Sequence, residues 1–441
     1  MVGTIVSGEP LYCPGPDLVI LRQREIAGLI IVTAILCPCL YTVRGQGIIE
    51  IMAMGQVGPG DCPLHSWFSA VPDIDVVLVI TKQDVTVLSM EEMRRWIRIY
   101  LPRNRKEMIE KFDHLIFVDS WLTGWESGPL LTPAQMRDMK RAIGEDGLPV
   151  FSTGLWSSET SMIEGVLASD IEEFYPVNLR GKRSMERDHL YKVEVDRKEG
   201  LPEVLKVFLP LGIENFQGMW AGQLYPKQGA TIWATMKDCN IPNPPPGGWP
   251  WLVSWEVGSA DTLFWVAADD LEVKWWWGFY DPPTENPYGV DVLCNIIYHS
   301  LDMDLPDDIL LVHETRRKFI EFNDRKALCV SVIEFAERFN ANSGRLWSDL
   351  ADIEGQIAEA RGAYLEHRFV EARGMISDAE EAMAELDDRA VALKNNSLMW
   401  VFIIEWFAVA AVSLVSGTVL WWLMVRRRVY REVRVTRSTS L

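Results

Sequence analysis

Hydrophobic positions recur with two different periods along the first third of the chain. Short β-branched runs at Ile48–Met54, Val76–Ile80, His114–Ser120 and Leu148–Ser152 predict strands, and the segments between them space their apolar residues as helices do. Met90–Tyr100 is amphipathic, and Thr132-Pro133-Ala134-Gln135 opens a helix reaching Ile143, with a hydroxyl N-cap and proline in its first turn. Gly144 and Gly147 are expected to close it. Strands alternating with helices predict an α/β domain built on a parallel sheet. Later strands are expected at Tyr191–Val195, Ala230–Met236, Trp251–Val257 and Thr262–Ala267, then a helix from Gly289 to Met303 and a helical region over Asp307–Phe339.

From Ser343 to Lys394 the period changes. Leu346, Leu350, Ile353, Ile357, Ala360 and Tyr364 form one heptad seam, and Ala372, Ile376, Ala379, Met383, Leu386, Ala390 and Leu393 form a second. The register breaks between them at Glu366-His367-Arg368. Two arms of similar length predict an antiparallel helical hairpin or coiled-coil stalk, with one long bent stalk as the alternative. Asn395-Asn396-Ser397, which contains a glycosylation sequon, is expected to separate this segment from the apolar C-terminal stretch.

Residues 406–425 carry no charged side chain, and a helix of 20 residues rises about 30 Å, the thickness of a bilayer core. Trp400 and Trp406 would mark one interface, Trp421 and Trp422 the other. Arg426, Arg427 and Arg428 come directly after. By the positive-inside rule they put the C-terminal tail in the cytoplasm and residues 45–397 outside it. A second uncharged run, Ile26–Val43, is preceded by Arg22 and Arg24 and has the layout of a signal peptide or an N-terminal anchor. The expected organisation is a signal peptide or anchor over 1–45, an α/β domain over 46–303, a helical stalk over 304–397, a transmembrane helix over 398–425 and a basic tail over 426–441. No eukaryotic sorting signal is recognised, so a prokaryotic plasma membrane is the expected location.

Charge sharpens this division. The 441 residues carry 43 Lys+Arg against 62 Asp+Glu, a net charge of −19, yet the last 16 hold six arginines and one glutamate. An acidic body argues against nucleic acid as a partner. Cys62, Cys239, Cys294 and Cys329 fall in the exported part and could form disulfides, with pairing left open. Six scattered histidines and no CxxC spacing give no metal site, and no cofactor is expected.

The strand His114-Leu-Ile-Phe-Val-Asp119, the Thr-Pro-x-Gln helix and Gly147-Leu-Pro-Val-Phe-Ser-Thr-Gly154 resemble the middle of a class I glutamine amidotransferase-like domain, the flavodoxin-like group that includes ThuA-type proteins. Trp251–Gly258 with Thr262–Asp269 is similar to that group's closing hairpin. The resemblance covers about residues 46–303 and implies a flavodoxin-like sheet. It also implies a cysteine nucleophile on a tight turn after a strand, with a histidine and carboxylate nearby. The corresponding turn, Ser152-Thr153-Gly154-Leu155-Trp156, holds no cysteine, and the place for a His-x-Glu reads Ala267-Ala268-Asp269-Asp270. The expectation is therefore a non-enzymatic domain whose ligand edge comprises Asp119, Thr153, Ser157, Ser158 and Asp269.

Nineteen tryptophans is a high count, and seven lie between positions 249 and 277. Trp275, Trp276 and Trp277 are consecutive and cannot all point inward, so at least one is expected to be exposed and they form a candidate aromatic recognition surface. The expected function is a membrane-anchored extracytoplasmic binding or scaffolding protein, with a protein partner or a small ligand or glycan. The alternatives are an anchored hydrolase using Ser157, Ser158 or Asp119, and a subunit of a transport or secretion complex.

Overall fold

The computed structural model describes residues 47–58, 62, 64–69, 71–81, 88–118, 130–153, 171–179, 190–219, 221–241, 243–271, 274–276, 286–339 and 341–438. The N-terminal apolar run, Cys13, Cys37 and Cys39 lie outside them.

Within the described residues, nine strands form one mixed sheet in the order β2-β1-β3-β4-β9-β8-β7-β5-β6. The first five of that order run parallel: β1 (Ile49–Gly55), β2 (Ile74–Ile80), β3 (His114–Val118), β4 (Val150–Ser152) and β9 (Thr262–Ala267). The rest is an antiparallel extension through β8 (Trp249–Val257), β7 (Thr231–Lys237), β5 (Leu190–Val195) and β6 (Gln217–Met219). Strands β1, β3 and β4 bury almost every residue, which explains why their sequences read as continuous apolar runs without alternation.

Among the described residues, five shorter helices accompany the sheet: α1 (Leu64–Ser69), α2 (Met90–Tyr100), α3 (Arg105–Lys111), α4 (Pro133–Asp146) and α5 (Gly289–Ser300). Capping boxes start two of them. Ser89 and Glu92 exchange hydrogen bonds at the head of α2, and Thr132 and Gln135 do so at the head of α4. Gly147, at φ 83°, is the left-handed C-cap of α4. Gly144 does not close the helix as expected. It lies inside α4, where a Cβ would come within 2.7 Å of the Phe174 ring, so its smallness serves packing.

Beyond the sheet domain, α6 (Ile309–Glu337), α7 (Gly344–Leu365) and α8 (Phe369–Ser438) pack against one another. α7 and α8 form the antiparallel hairpin, turning at His367, whose φ is 59°. Ion pairs fix the registers: Arg389 of α8 meets Asp349 of α7 at 2.6 Å, while Lys318 and Arg325 of α6 meet Glu380 and Asp387 of α8 at 2.7 and 3.2 Å. Ascending numbers match ascending numbers between α6 and α8, so these two run parallel and α7 runs opposite to both. The three helices bury Phe319, Phe322, Ile353, Ile357, Ile376 and Met383 in one apolar cluster, each side chain contributing roughly 1.5–3 kcal/mol. The seam therefore faces two helices; the expectation of a two-arm hairpin omitted α6.

No break separates this bundle from the apolar segment. Asn395, Asn396 and Ser397, expected as a separator, are helical, and the Ser397 hydroxyl donates to the Leu393 carbonyl at 2.8 Å. Polar residues of weak helix propensity cost only tenths of a kcal/mol each inside a helix already nucleated on both sides. Farther along α8 the side chains stand clear of the protein, Trp406 at 74% and Leu414 at 70% exposure. Among the described residues this is the one helix long and apolar enough to cross a membrane.

The disulfide expectation finds no support. Cys239, Cys294 and Cys329 are free thiols. Cys294 is buried in α5, and burial pushes its thiol up to about 12.

Candidate functional site

The carboxyl edge of the parallel strands is where a sheet of this kind carries its ligands. Thr153 comes directly after β4, and Asp269 and Asp270 come after β9, the neighbouring strand. The structure does bring Thr153 and the acidic pair together. The Thr153 hydroxyl donates to Asp270 Oδ1 at 3.2 Å, its backbone N–H donates to the Phe117 carbonyl at 2.9 Å, and the residue is fully buried. Asp119, Ser157, Ser158 and Trp277 lie outside the described residues.

Asp269 is also fully buried, and three side chains donate to it. Tyr191 Oη and Trp251 Nε1 reach Oδ2, the latter at 3.0 Å, and Trp276 Nε1 reaches Oδ1 at 3.1 Å. No cation is among these partners. Burial accordingly pushes the carboxyl up to about 6, with the three hydrogen bonds acting against that rise. Tyr191 is raised well above the usual phenol range, by burial first and by the adjoining carboxylate second. Access for Tyr191 depends on Gly218 of β6, because a Cβ there would sit 2.1 Å from the phenol ring.

This cage removes Trp275 and Trp276 from the expected aromatic surface. Trp275 and Trp276 are fully buried. Trp276 stacks on Trp251 with ring centres 5.3 Å apart and planes at 17°, and Trp275 meets Trp251 edge-on at 4.5 Å. A short 3₁₀ turn over Lys274–Trp276 carries the two consecutive rings into the core. Asp269 is thus the internal anchor of a tryptophan cluster, and its acceptor capacity is spent on the protein itself.

A second buried constellation was not legible as a site. Arg316 of α6 is fully buried and donates in three directions: Nη1 to Asp291 Oδ1 at 2.6 Å, Nη2 to Tyr298 Oη at 2.6 Å and Nε to Tyr364 Oη at 2.8 Å. His313 Nδ1 lies 2.7 Å from the other oxygen of Asp291, and Tyr298 Oη donates to Asp73 Oδ2 at 2.7 Å. Asp73 precedes β2, Asp291 and Tyr298 belong to α5, and Tyr364 ends α7. The cluster therefore ties the sheet domain to the helices that lead to the apolar segment. The only sequence signal was an arginine and a histidine three positions apart on one helical face, which surface helices show routinely.

His114, at the start of β3, lies at the opposite edge of the sheet from Thr153 and Asp269. It is fully buried with neither ring nitrogen hydrogen-bonded, and burial holds its imidazole down to about 3. It is a core residue without access to the carboxyl edge. Among the described residues, no group of three or more His, Cys, Asp or Glu side chains is placed to hold a metal ion.

Among the described residues a groove lies over the antiparallel extension. Its volume is about 1010 Å³, and Tyr225, Trp249 and the loop from Asn243 to Pro250 line it. Compared with known proteins, the chain matches no family model and no curated protein.

Proposed function

We propose that this chain is a membrane-anchored binding or scaffolding protein whose α/β domain is held outside the cytoplasm and is catalytically silent. The observation that carries the reading is α8: one unbroken helix that begins in the bundle, exposes apolar side chains over a bilayer's thickness and ends in an arginine cluster. The parallel strand order β2-β1-β3-β4-β9 supports the flavodoxin-like, amidotransferase-like reading of the domain, since that group orders its strands as 2-1-3-4-5. The internal bonding of Thr153, Asp269 and Asp270 supports catalytic silence. The groups in the described part of the edge hydrogen-bond to one another and to the tryptophan cluster.

Protease added to intact cells should digest the domain and leave a tag placed after Leu441 intact. A tag lost while the domain survives would reverse the orientation and remove the extracytoplasmic reading.

A further inference from the structure

Of the two long sides of α8, the bundle covers one. Ile376, Met383, Leu386 and Ala390 are buried against α6 and α7. Asp378, Glu381, Glu385 and Asp388 each stand two positions from one of these, which on a helix of about 3.6 residues per turn is the far side. All four acids are exposed, and among the described residues none of them forms an ion pair. The remaining acids in the bundle half of α8 are paired: Glu380 with Lys318, Asp387 with Arg325 and Glu371 with Arg368. Like charges three and four residues apart repel one another along a helix, so the uncovered side carries an electrostatic cost that cations would remove.

The same side continues toward the membrane as an apolar groove. Steps of seven lead from Glu381 through Asp388 and Asn395 to Phe402, and from Asp378 through Glu385 and Ala392 to Met399 and Trp406. Asn395, Met399, Phe402 and Trp406 line the groove among the described residues, and Phe402 is 62% exposed. A stripe that repeats every seven residues is the surface along which one helix packs on another. Met399 and Phe402 precede the uncharged run 406–425, which by itself spans a bilayer core of about 30 Å, so lipid tails are not required to cover them.

Charge decides what can cover the whole stripe. Lipid could cover the groove but offers the acids no matching row of cations, and a soluble basic protein could meet the acids but would leave the groove open. A second copy of this chain, aligned by the same membrane, would set an identical acidic row against Asp378, Glu381, Glu385 and Asp388.

We propose that the outward side of α8 docks a helix of a second membrane protein, one whose span continues into a segment bearing lysine or arginine at the spacing of the four acids. Its basic side chains pair with the acids, and its apolar side packs on Met399, Phe402 and Trp406. Acids at the stripe positions make the contact selective, because a like-charged helix is repelled. The inference rests on the membrane-anchored reading and gives it a partner class.

The test places the full chain in phosphatidylcholine vesicles at low density with a synthetic probe, a helix of about 20 apolar residues extended by a segment whose lysines match the spacing of the acids. The comparators are the same probe with glutamate for lysine, and the lysine segment without its span. Energy transfer between labelled chain and probe should show the lysine probe binding at least about tenfold tighter than the glutamate probe, and more weakly as salt is raised. Converting the four acids to amides together (Asp378→Asn, Glu381→Gln, Glu385→Gln and Asp388→Asn) should abolish that preference, and Phe402→Ala should weaken the lysine probe about threefold. All five side chains are exposed, so these substitutions leave the bundle's packing in place. Equal binding of the two spanning probes, binding of neither, a lysine preference that survives the amides, or undiminished binding of the lysine segment without its span would overturn the proposal. So would energy transfer between two copies of the chain that Phe402→Ala abolishes. A chain that does not enter the vesicles would refute the membrane reading and the proposal together, whereas one that enters and ignores the probes refutes the proposal alone.

Discussion

Two buried aspartates, one at the sheet's edge and one where the sheet domain meets the helical bundle, solve the same electrostatic problem differently. Asp269 lies among tryptophans and accepts from three neutral donors, and burial lifts its carboxyl to about 6. Asp291 lies where α5 meets α6, against the guanidinium of Arg316 and the ring of His313. Neutral donors supply local dipoles but no charge, so at Asp269 desolvation outweighs the hydrogen bonds and the protonated acid is favoured up to higher pH. A bidirectional ionic cluster instead demands that every member be present. The first arrangement makes its region sensitive to pH, and the second makes its region sensitive to substitution.

The largest effect should come from Arg316→Met. It leaves the Asp291 carboxylate buried without its cation and takes a donor from Tyr298 and Tyr364, a type of loss that costs about 3–5 kcal/mol. Adding Asp291→Leu should recover most of it, because removing both charges avoids the orphaned one. Denaturant midpoints of the full chain in detergent would measure this. Equal damage in the single and double variants would mean the cluster does not work as a charge pair.

Asp269 should give the next largest effect, and its sign can be worked out. The folded carboxyl titrates at about 6 against 3.8 for the free group, so the folded state binds more protons than the unfolded one within that window. The Asp269 contribution to stability should therefore fall as pH rises from about 4 to 6 and then level, by a total on the order of 3 kcal/mol, and it is read in a His114→Leu background because His114 titrates oppositely over the same range. Asp269→Asn should flatten this slope even though it also costs stability, since its amide N–H₂ must face an indole donor. Parallel stability–pH curves for the two proteins would dismiss the role given to Asp269.

His114 provides the smallest effect and the sharpest control. Its imidazole titrates at about 3 when folded against 6.5 when free, so the folded state binds fewer protons there and stability rises with pH over that range. This opposes Asp269. His114→Leu should uncover the Asp269-driven fall, which the opposing His114 titration otherwise masks, while at pH 7.5, where both imidazole states are neutral, the change should stay within about 1 kcal/mol because an unpaired polar ring is exchanged for an apolar side chain. A shallower fall in His114→Leu would contradict this opposition.

Strands and helix starts were legible where a local pattern governs them. Met90–Tyr100 and Thr262–Ala267 fall where the periodicity places them, and the Thr132 capping box sets the start of α4. Misses arose where the cause is tertiary. β6 is three residues long and pairs with one end of β5, α1 is six residues with little periodicity to read, and Trp275 and Trp276 both turn inward on a 3₁₀ turn, Trp276 donating to Asp269. At the site, Thr153 and Asp269 follow neighbouring strands, and their internal partners Asp270, Tyr191 and Trp251 lie up to 117 residues away in sequence. The Arg316 cluster and the Tyr225–Trp249 groove likewise join distant segments, so no motif announces them.

The threading of the bundle also sets how the protein would meet mechanical tension. The sheet domain leads into α6, the chain returns through α7, and α8 leaves in the direction of α6, as the ion pairs between Lys318 and Glu380 and between Arg389 and Asp349 require. A pull on the domain against an α8 fixed in a membrane would draw the helices past one another along their axes. The whole apolar seam from Leu346 to Leu393 then resists together, whereas a bundle pulled from adjacent ends would peel one turn at a time. A bundle threaded in this way would carry tension along its axis as a single unit.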